Sequence, residues 1–130
     1  MVRFLGERST TLQAIETLSA KAKVPYTPRL PFAELAKIRK ATKTPPGFKD
    51  TGDGDFFVWL DLLFGLMQAI EDGAVFSHVI LVTNDTKVDW SKNNATPHPI
   101  LSAEIGAAVG STFEVMKVEA LERAVLDFLK

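Results

Sequence analysis

The spacing of apolar residues predicts two amphipathic helices in the first third of the chain. The first follows a possible N-cap at residues 9–11 and continues to about Lys23, where Val24-Pro25 ends the pattern. The apolar side of this helix consists of Leu12, Ile15 and Leu18. A shorter second helix stops before Pro45-Pro46, because the residue before a proline disfavours helical backbone. Its apolar side consists of Phe32, Leu35 and Ile38, and its polar side of Lys37, Arg39, Lys40 and Lys43.

The pattern then changes to a third helix whose apolar residues cover nearly its whole circumference. Asp53 to Asp55 can cap this helix, which extends to Glu71 or Asp72 and leaves Gly73 at the C-terminal position where glycine is favoured. A helix of this kind is expected to be covered on most sides. Its apolar run is shorter than the ~20 residues that span a bilayer, and it contains Asp61, which we expect to be exposed or paired. We predict a buried helix and no membrane segment.

The rest of the chain alternates between strands and helices. Residues 75–82 read as a strand, because the run is short, rich in valine and isoleucine, and apolar on both faces as in a parallel sheet. A polar loop at 85–99 leads to a helix at about 100–109, a second strand at 112–118 and a closing helix at 119–130. This order implies a parallel pair with a right-handed crossover. The predicted fold class is α/β, a small parallel sheet of two strands flanked by helices, in a single domain.

Composition and charge place the chain among ordinary soluble domains. Its 130 residues are 46% hydrophobic and 24% charged, with a net charge of −1, which excludes disordered chains and proteins that bind nucleic acid through their overall charge. The chain has no cysteine, so disulfides and thiolate metal sites are excluded. The missing cysteines, and an N-terminus without the apolar run of a signal peptide, predict a cytoplasmic setting.

Two acidic clusters contain most of the candidate chemistry. Residues 45–55, PPGFKDTGDGD, form a glycine-rich turn that opens the third helix, and residues 82–90, VTNDTKVDW, close the first strand. The helix and the strand are both roughly 25 Å long, and their short connection makes them antiparallel. We therefore expect Asp55, at the helix start, and Asp85, after the strand, at the edge of the sheet where open α/β folds bind ligands.

Carboxylates that meet in this way favour metal binding. They repel each other unless a cation lies between them, and hard oxygen ligands favour Mg²⁺ or Mn²⁺. Asp55 and Asp85 are the candidate catalytic residues and metal ligands, and the further candidate metal ligands are Asp50, Asp53 and Asp89. A cation held there could activate water for phosphodiester hydrolysis. The partial positive charge of the helix N-terminus keeps Asp55 ionised but also opposes a cation beside it.

Each of these features also has a purely structural interpretation. Asp53 and Asp55 look like a helix N-cap, and Asp85 looks like a turn residue after a strand. Trp59 and Trp90 are interpreted as packing residues. The basic residues near the two clusters could guide a phosphate backbone or simply form a solvated face. The candidate nucleic-acid-binding residues among them are Lys40, Lys43, Lys49 and Lys87.

The two clusters resemble motifs of the PIN-like superfamily. In the bacterial group that the chain resembles, a PPGYKD-type motif precedes a Gly-Asp helix start with a tryptophan, a strand ending in Val-Thr-Asp-Asp, and a Lys-x-Asp-Trp tail. The matching residues here are Pro45 to Asp50, Gly54-Asp55 with Trp59, Val82 to Asp85, and Lys87 with Asp89-Trp90. The resemblance is weak over the first thirty residues and good from about Lys43 to Leu121.

This resemblance implies a fold and an activity. PIN domains are typically Mg²⁺- or Mn²⁺-dependent ribonucleases with three or four acids, of which Asp55 and Asp85 match the one at the helix start and the one after the strand. The other two, an aspartate that ends a central strand and a glutamate on an early helix, have no counterpart in residues 1–44. The resemblance therefore implies the C-terminal half of a PIN-like Rossmannoid domain, with single-stranded RNA as the expected substrate.

The half-domain interpretation leaves several partners open. A two-stranded parallel sheet exposes an apolar edge, which favours pairing with another strand. The chain is then expected to form a homodimer or to bind a complementing N-terminal half. The alternative is a catalytically inactive module that docks on a partner through its sheet edge. A haloacid-type phosphohydrolase is a further alternative, opposed by the lack of an Asp-x-Asp nucleophile strand.

Overall fold

The computed structural model describes residues 12–13, 16–84, 90–92 and 96–128. Residues 12–13 and 16–21 are helical and are called α1, and the cap predicted at 9–11 lies outside the described residues. After a 3₁₀ turn at Leu30–Phe32, the other helices are α2 at Ala33–Ala41, α3 at Gly54–Glu71, α4 at Pro99–Val109 and α5 at Val118–Phe128. Each predicted helix is present within the described residues, and α4 is followed at its C-cap by Gly110, whose φ of 68° favours glycine.

The central sheet consists of two parallel strands. β1 at His78–Val82 pairs with β4 at Thr112–Met116, and His78 lies opposite Thr112. The two strands pair in parallel and α4 lies between them in sequence, as a crossover connection requires, so the predicted parallel pair and the α/β fold class are confirmed. Two more strands, β2 at Ser91–Lys92 and β3 at Thr96–Pro97, form a short antiparallel ribbon inside the predicted polar loop. The sequence does not predict this ribbon, because such short strands show no periodicity.

One face of the sheet packs against α3 and α4 to form the main core. Trp59, Leu101 and Ile105 are fully shielded from solvent. Trp59 meets Phe113 edge to face, with ring centroids 5.3 Å apart. Trp90 is also buried, and its ring lies 6.1 Å from that of Trp59. Both tryptophans are therefore packing residues, as the sequence predicts.

The expectation that α3 is covered on most sides is wrong for its second half. The buried residues of α3 are Phe56, Trp59 and Leu60, all near its start. Further along, Leu63 and Leu66 pack against the core on one side of the helix. Other large apolar residues in this half are only partly covered, since Phe64, Met67 and Ile70 are 41–42% exposed, and Val58 in the first half is 52% exposed. No helix in the described part of the chain is long and apolar enough to cross a membrane.

An ion pair fastens the segment before α2 to α3. Arg29 binds both carboxylate oxygens of Asp61, at 2.8 and 3.1 Å, and the Thr27 N–H donates to the same carboxylate at 2.7 Å. These bonds hold the pKa of Asp61 below its ordinary value, with the Arg29 hydrogen bond as the largest cause. Pro25 lies so close to Gly65 that a Cβ on that glycine would be 2.9 Å from two of its ring carbons. Asp61 is thus paired, which is one of the two placements expected for it.

Candidate functional site

The turn at residues 45–47 is buried and packs against the start of α3. The Pro45-Pro46 peptide bond is cis, and Gly47 has a φ of +81°, a conformation that favours glycine. A Cβ on Gly47 would lie 2.9 Å from the Cβ of Asp55, which is closer than two carbon atoms can approach. The Pro-Pro-Gly sequence therefore brings backbone directly against Asp55.

Asp55 is the second residue of α3 and is half-buried beside this turn. Its Oδ2 atom is shielded from solvent. A helix N-terminus favours negative charge, because the first N–H groups of the helix point toward it. The position of Asp55 thus suits an ionised carboxylate that is fixed by the helix on one side and by the Pro-Pro-Gly turn on the other.

The neighbouring acids have different surroundings. Asp53 is at the N-cap position, but its side chain makes no capping hydrogen bond, so the N-cap interpretation is wrong for this side chain. Its carboxylate instead lies 3.5 Å from Lys40 Nζ, and the same Nζ donates to the Gly52 carbonyl oxygen at 2.8 Å. Asp50 closes the preceding turn, since its backbone N–H donates to the Gly47 carbonyl oxygen at 3.1 Å. Lys40 therefore fastens the acidic turn to α2.

The second acidic cluster is described only at its two ends. The candidates that lie outside the described residues are Asp85, Lys87 and Asp89. Just before them, Asn84 Oδ1 accepts the Val118 N–H at 3.2 Å and so satisfies a donor at the start of α5. Just after them, Trp90 contacts Trp59, which lies one helical turn beyond Asp55. The chain therefore returns to the first turns of α3 at the end of this cluster.

The described acids do not form a metal site by themselves. Within the described ranges, no group of three histidine, aspartate or glutamate residues is close enough to hold a metal ion. The carboxylate of Asp53 is already balanced by the Lys40 ammonium. A divalent cation beside Asp55 would therefore need further ligands, and the sequence offers Asp85 and Asp89 for this role.

The structure adds a pair of residues that the sequence pattern does not single out. Arg39 binds both oxygens of the Glu104 carboxylate, at distances of 2.8 and 3.2 Å. The two side chains are only 14% and 24% exposed, so the expectation that Arg39 lies on a solvated, phosphate-guiding face is wrong. The sequence contains one indication that Glu104 is paired, since it is the sole charged residue in the apolar helix α4.

Two of the candidate nucleic-acid-binding residues lie at the surface. Lys43 and Lys49 are exposed, on either side of the Pro-Pro-Gly turn in sequence. Lys43 also has a positive φ of 54° where the chain leaves α2. Lys40, in contrast, is engaged with the acidic turn. Whether any of them binds nucleic acid stays a prediction.

Comparison with known protein families defines the class of protein. A family model described as a PIN like domain matches residues 7–101, more than half of the chain. The chain therefore belongs to the PIN-like domain family. The match includes α2 and α3 and ends within α4, and the interpretation of the chain as the C-terminal half of such a domain stays a prediction. No curated protein and no solved structure gave a match.

Proposed function

We propose that the chain is a PIN-like nuclease domain that hydrolyses phosphodiester bonds in single-stranded RNA. Asp55 and Asp85 are its catalytic acids and would hold Mg²⁺ or Mn²⁺ together with Asp50, Asp53 or Asp89. Membership of the PIN-like family supports this class of activity. The carboxylate-rich, cysteine-free donor set suits hard divalent cations, and the lack of cysteine also fits a cytoplasmic setting.

The observation that carries the proposal is the contact between Trp59 and Trp90. Both side chains are buried, and their ring centroids are 6.1 Å apart. Trp59 lies on the same face of α3 as Asp55, because residues four apart share a helix face. Trp90 directly follows Asp89 in the sequence. The contact therefore supports the convergence of the two acidic clusters at one edge of the fold.

The chain's own residues prepare Asp55 for this role. The helix N-terminus favours the ionised carboxylate, which is the form that accepts protons and binds cations. The Pro-Pro-Gly turn limits its movement, since Gly47 is in close contact with it. Lys43 and Lys49 are exposed near the same turn and supply local positive charge that can attract a phosphate backbone.

A second candidate function is an inactive interaction module, or one half of a split nuclease. The observation that favours it is the ion pair of Lys40 and Asp53, in which an ammonium group already neutralises one of the candidate metal-binding carboxylates. The two-stranded sheet also offers an edge, at which a second copy or a complementing N-terminal half could add a strand. Such a partner would supply the central-strand aspartate and the early-helix glutamate that have no counterpart in residues 1–44.

Cleavage of single-stranded RNA in the presence of Mn²⁺ separates the two candidates. Asp55→Asn and Asp85→Asn are each expected to reduce the cleavage rate at least ~100-fold, the usual effect of losing an acid or base at the reacting centre. Asp72→Asn is the matched control, because Asp72 lies at the opposite end of α3, is 48% exposed and pairs with Lys23. Wild type and control should cleave equally.

Two outcomes would contradict the nuclease proposal. Equal cleavage by all four proteins would mean that the activity comes from a contaminant or from other residues. Failure of the wild type to cleave at any Mn²⁺ concentration would favour the inactive module. In that case, recovery of activity on adding a complementing half would identify a split nuclease.

A further inference from the structure

One polar network joins three helices beside the acidic turn. Arg39 on α2 binds Glu104 on α4 through two nitrogens. The same guanidinium donates to the Pro45 carbonyl oxygen, and its carbon lies 5.4 Å from the centre of the Phe56 ring on α3. The Glu104 carboxylate also accepts a bond from Trp59 Nε1 at 3.4 Å. The Pro-Pro-Gly turn and all three helices therefore meet at this ion pair.

We propose that Arg39 and Glu104 are positioning residues of the acidic site, and that their ion pair holds the Pro-Pro-Gly turn, and through it Asp55, in place. This inference rests on the proposed function, because it concerns the same site. The path of contacts is short: Arg39 fixes the Pro45 carbonyl, and Gly47, two residues later, lies against Asp55. The Glu104 carboxylate accepts the hydrogen bond from Trp59, which lies one turn beyond Asp55 on α3.

The energetics of the pair fit positioning better than stabilisation. Both side chains are largely buried, and the desolvation of a buried ion pair cancels much of its attraction. In addition, Arg39 Nε is buried without a hydrogen-bond partner among the described residues, which costs further free energy. The pair instead fixes the relative orientation of its partners, because the planar guanidinium binds a carboxylate and a carbonyl in one fixed geometry that lysine does not reproduce.

A second ion pair of the same type offers a matched control. Arg29 also binds both oxygens of an acid, Asp61, and the further hydrogen bonds of this pair go to Thr27. Asp61 is 17% exposed, which is close to the 24% of Glu104, whereas Arg29 is 40% and Arg39 14% exposed, so the variants of the acids are the closer match. Both pairs contact α3, but only the Arg39 pair reaches the Pro-Pro-Gly turn. Substitutions in the two pairs therefore remove similar chemistry from different places.

The test compares two variants of each pair: Glu104→Gln and Arg39→Lys, against Asp61→Asn and Arg29→Lys. Hydrogen exchange is measured at the backbone amide of Asp50, which donates to the Gly47 carbonyl and so reports on the turn. Mn²⁺ affinity is measured by calorimetry on the same samples. Urea unfolding gives the stability of each variant, so that local loosening is separated from global destabilisation.

The Glu104 and Arg39 variants are expected to raise the exchange rate of the turn amide by about tenfold or more relative to the control variants, through local opening. They should also weaken Mn²⁺ binding by roughly 10- to 100-fold, the usual range for residues that orient metal ligands. The control variants should lower stability without changing either property. Conservative Arg39→Lys is informative here, because it keeps the charge and loses the geometry.

Two results would overturn the inference. If all four variants loosen the turn to the same extent at equal stability, the ion pair is only structural. If neither the Glu104 nor the Arg39 variant alters the turn amide, the pair does not hold the turn. If the wild type binds no Mn²⁺, the proposed function fails, and exchange at Asp50 still decides whether the pair holds the turn.

Discussion

Replacement of Gly47 by alanine measures how closely the Pro-Pro-Gly turn fits against α3. Gly47 has a φ of +81°, and an L-residue in left-handed backbone costs about 1–2 kcal/mol. The new Cβ would lie 2.9 Å from the Cβ of Asp55, and overpacking of this kind costs a further ~1–3 kcal/mol. We therefore expect Gly47→Ala to lower the free energy of unfolding by about 2–5 kcal/mol.

Urea unfolding, followed by tryptophan fluorescence, measures this loss. Both tryptophans are buried in the folded protein, so their emission reports unfolding. Gly106→Ala is the control, because a Cβ on this α4 residue meets nothing within 4 Å. Alanine there is expected to stabilise the helix by up to ~1 kcal/mol. If Gly47→Ala unfolds at the same urea concentration as the wild type, the turn does not fit closely against Asp55, and the prediction is wrong.

Three further predictions concern the contacts around α3. The hydrogen bond from Arg29 is the main cause that lowers the folded pKa of Asp61. The stability that this ion pair contributes is therefore present above the unfolded pKa of ~3.9 and is lost as the pH falls through the folded pKa. Urea midpoints should consequently fall less steeply below about pH 4 in Asp61→Asn than in the wild type. Gly65→Ala should destabilise the protein despite the helical preference of alanine, because the new Cβ would lie 2.9 Å from the Pro25 ring; a gain in thermal midpoint would contradict this contact. Lys40→Met should change the free energy of unfolding by no more than about 1 kcal/mol, as for other partly exposed pairs, while limited proteolysis of the acidic turn becomes faster; unchanged proteolysis would mean that Lys40 does not fasten the turn.

The elements that the sequence predicts well are those with a local signal. The boundaries of α3 and α4 follow from their apolar runs and from the glycines after them, and the parallel strands β1 and β4 follow from short runs of valine, isoleucine and phenylalanine. A helical or strand period is a property of neighbouring residues, so it is visible without the fold. The second half of α3 shows the limit, because an apolar surface does not reveal whether a neighbour covers it.

The packing of α2 depends on contacts that no local pattern contains. Its apparent apolar side includes Leu35 and Ile38, which are 42% and 57% exposed, whereas the small Ala36 is buried. Ala36 packs against Phe56 on α3, and Arg39 lies on the inward side, with its partner 65 residues away in sequence. Size complementarity and a distant ion pair decide which side of α2 faces inward, so periodicity alone misassigns Arg39.

The candidate site is predictable where it depends on residues that are close in sequence. The Gly-Asp helix start and the buried Pro-Pro-Gly turn belong to one continuous stretch, and their proximity follows from a short connection. The contact of Lys40 with Asp53 is not predictable, because several lysines near the turn have the reach to form it. The role of Glu104 depends on how α4 meets α3, which only the assembled fold determines.

In the proposed function, Asp55 and Asp85 hold a divalent cation for phosphodiester hydrolysis. Calorimetric titration of Mn²⁺ into the wild type, Asp55→Asn, Asp85→Asn and the Asp72→Asn control tests it most directly. We expect equal binding heats for the wild type and the control, and the loss of binding in the other two proteins. A null heat in the wild type, or the same heat in all four proteins, would contradict it.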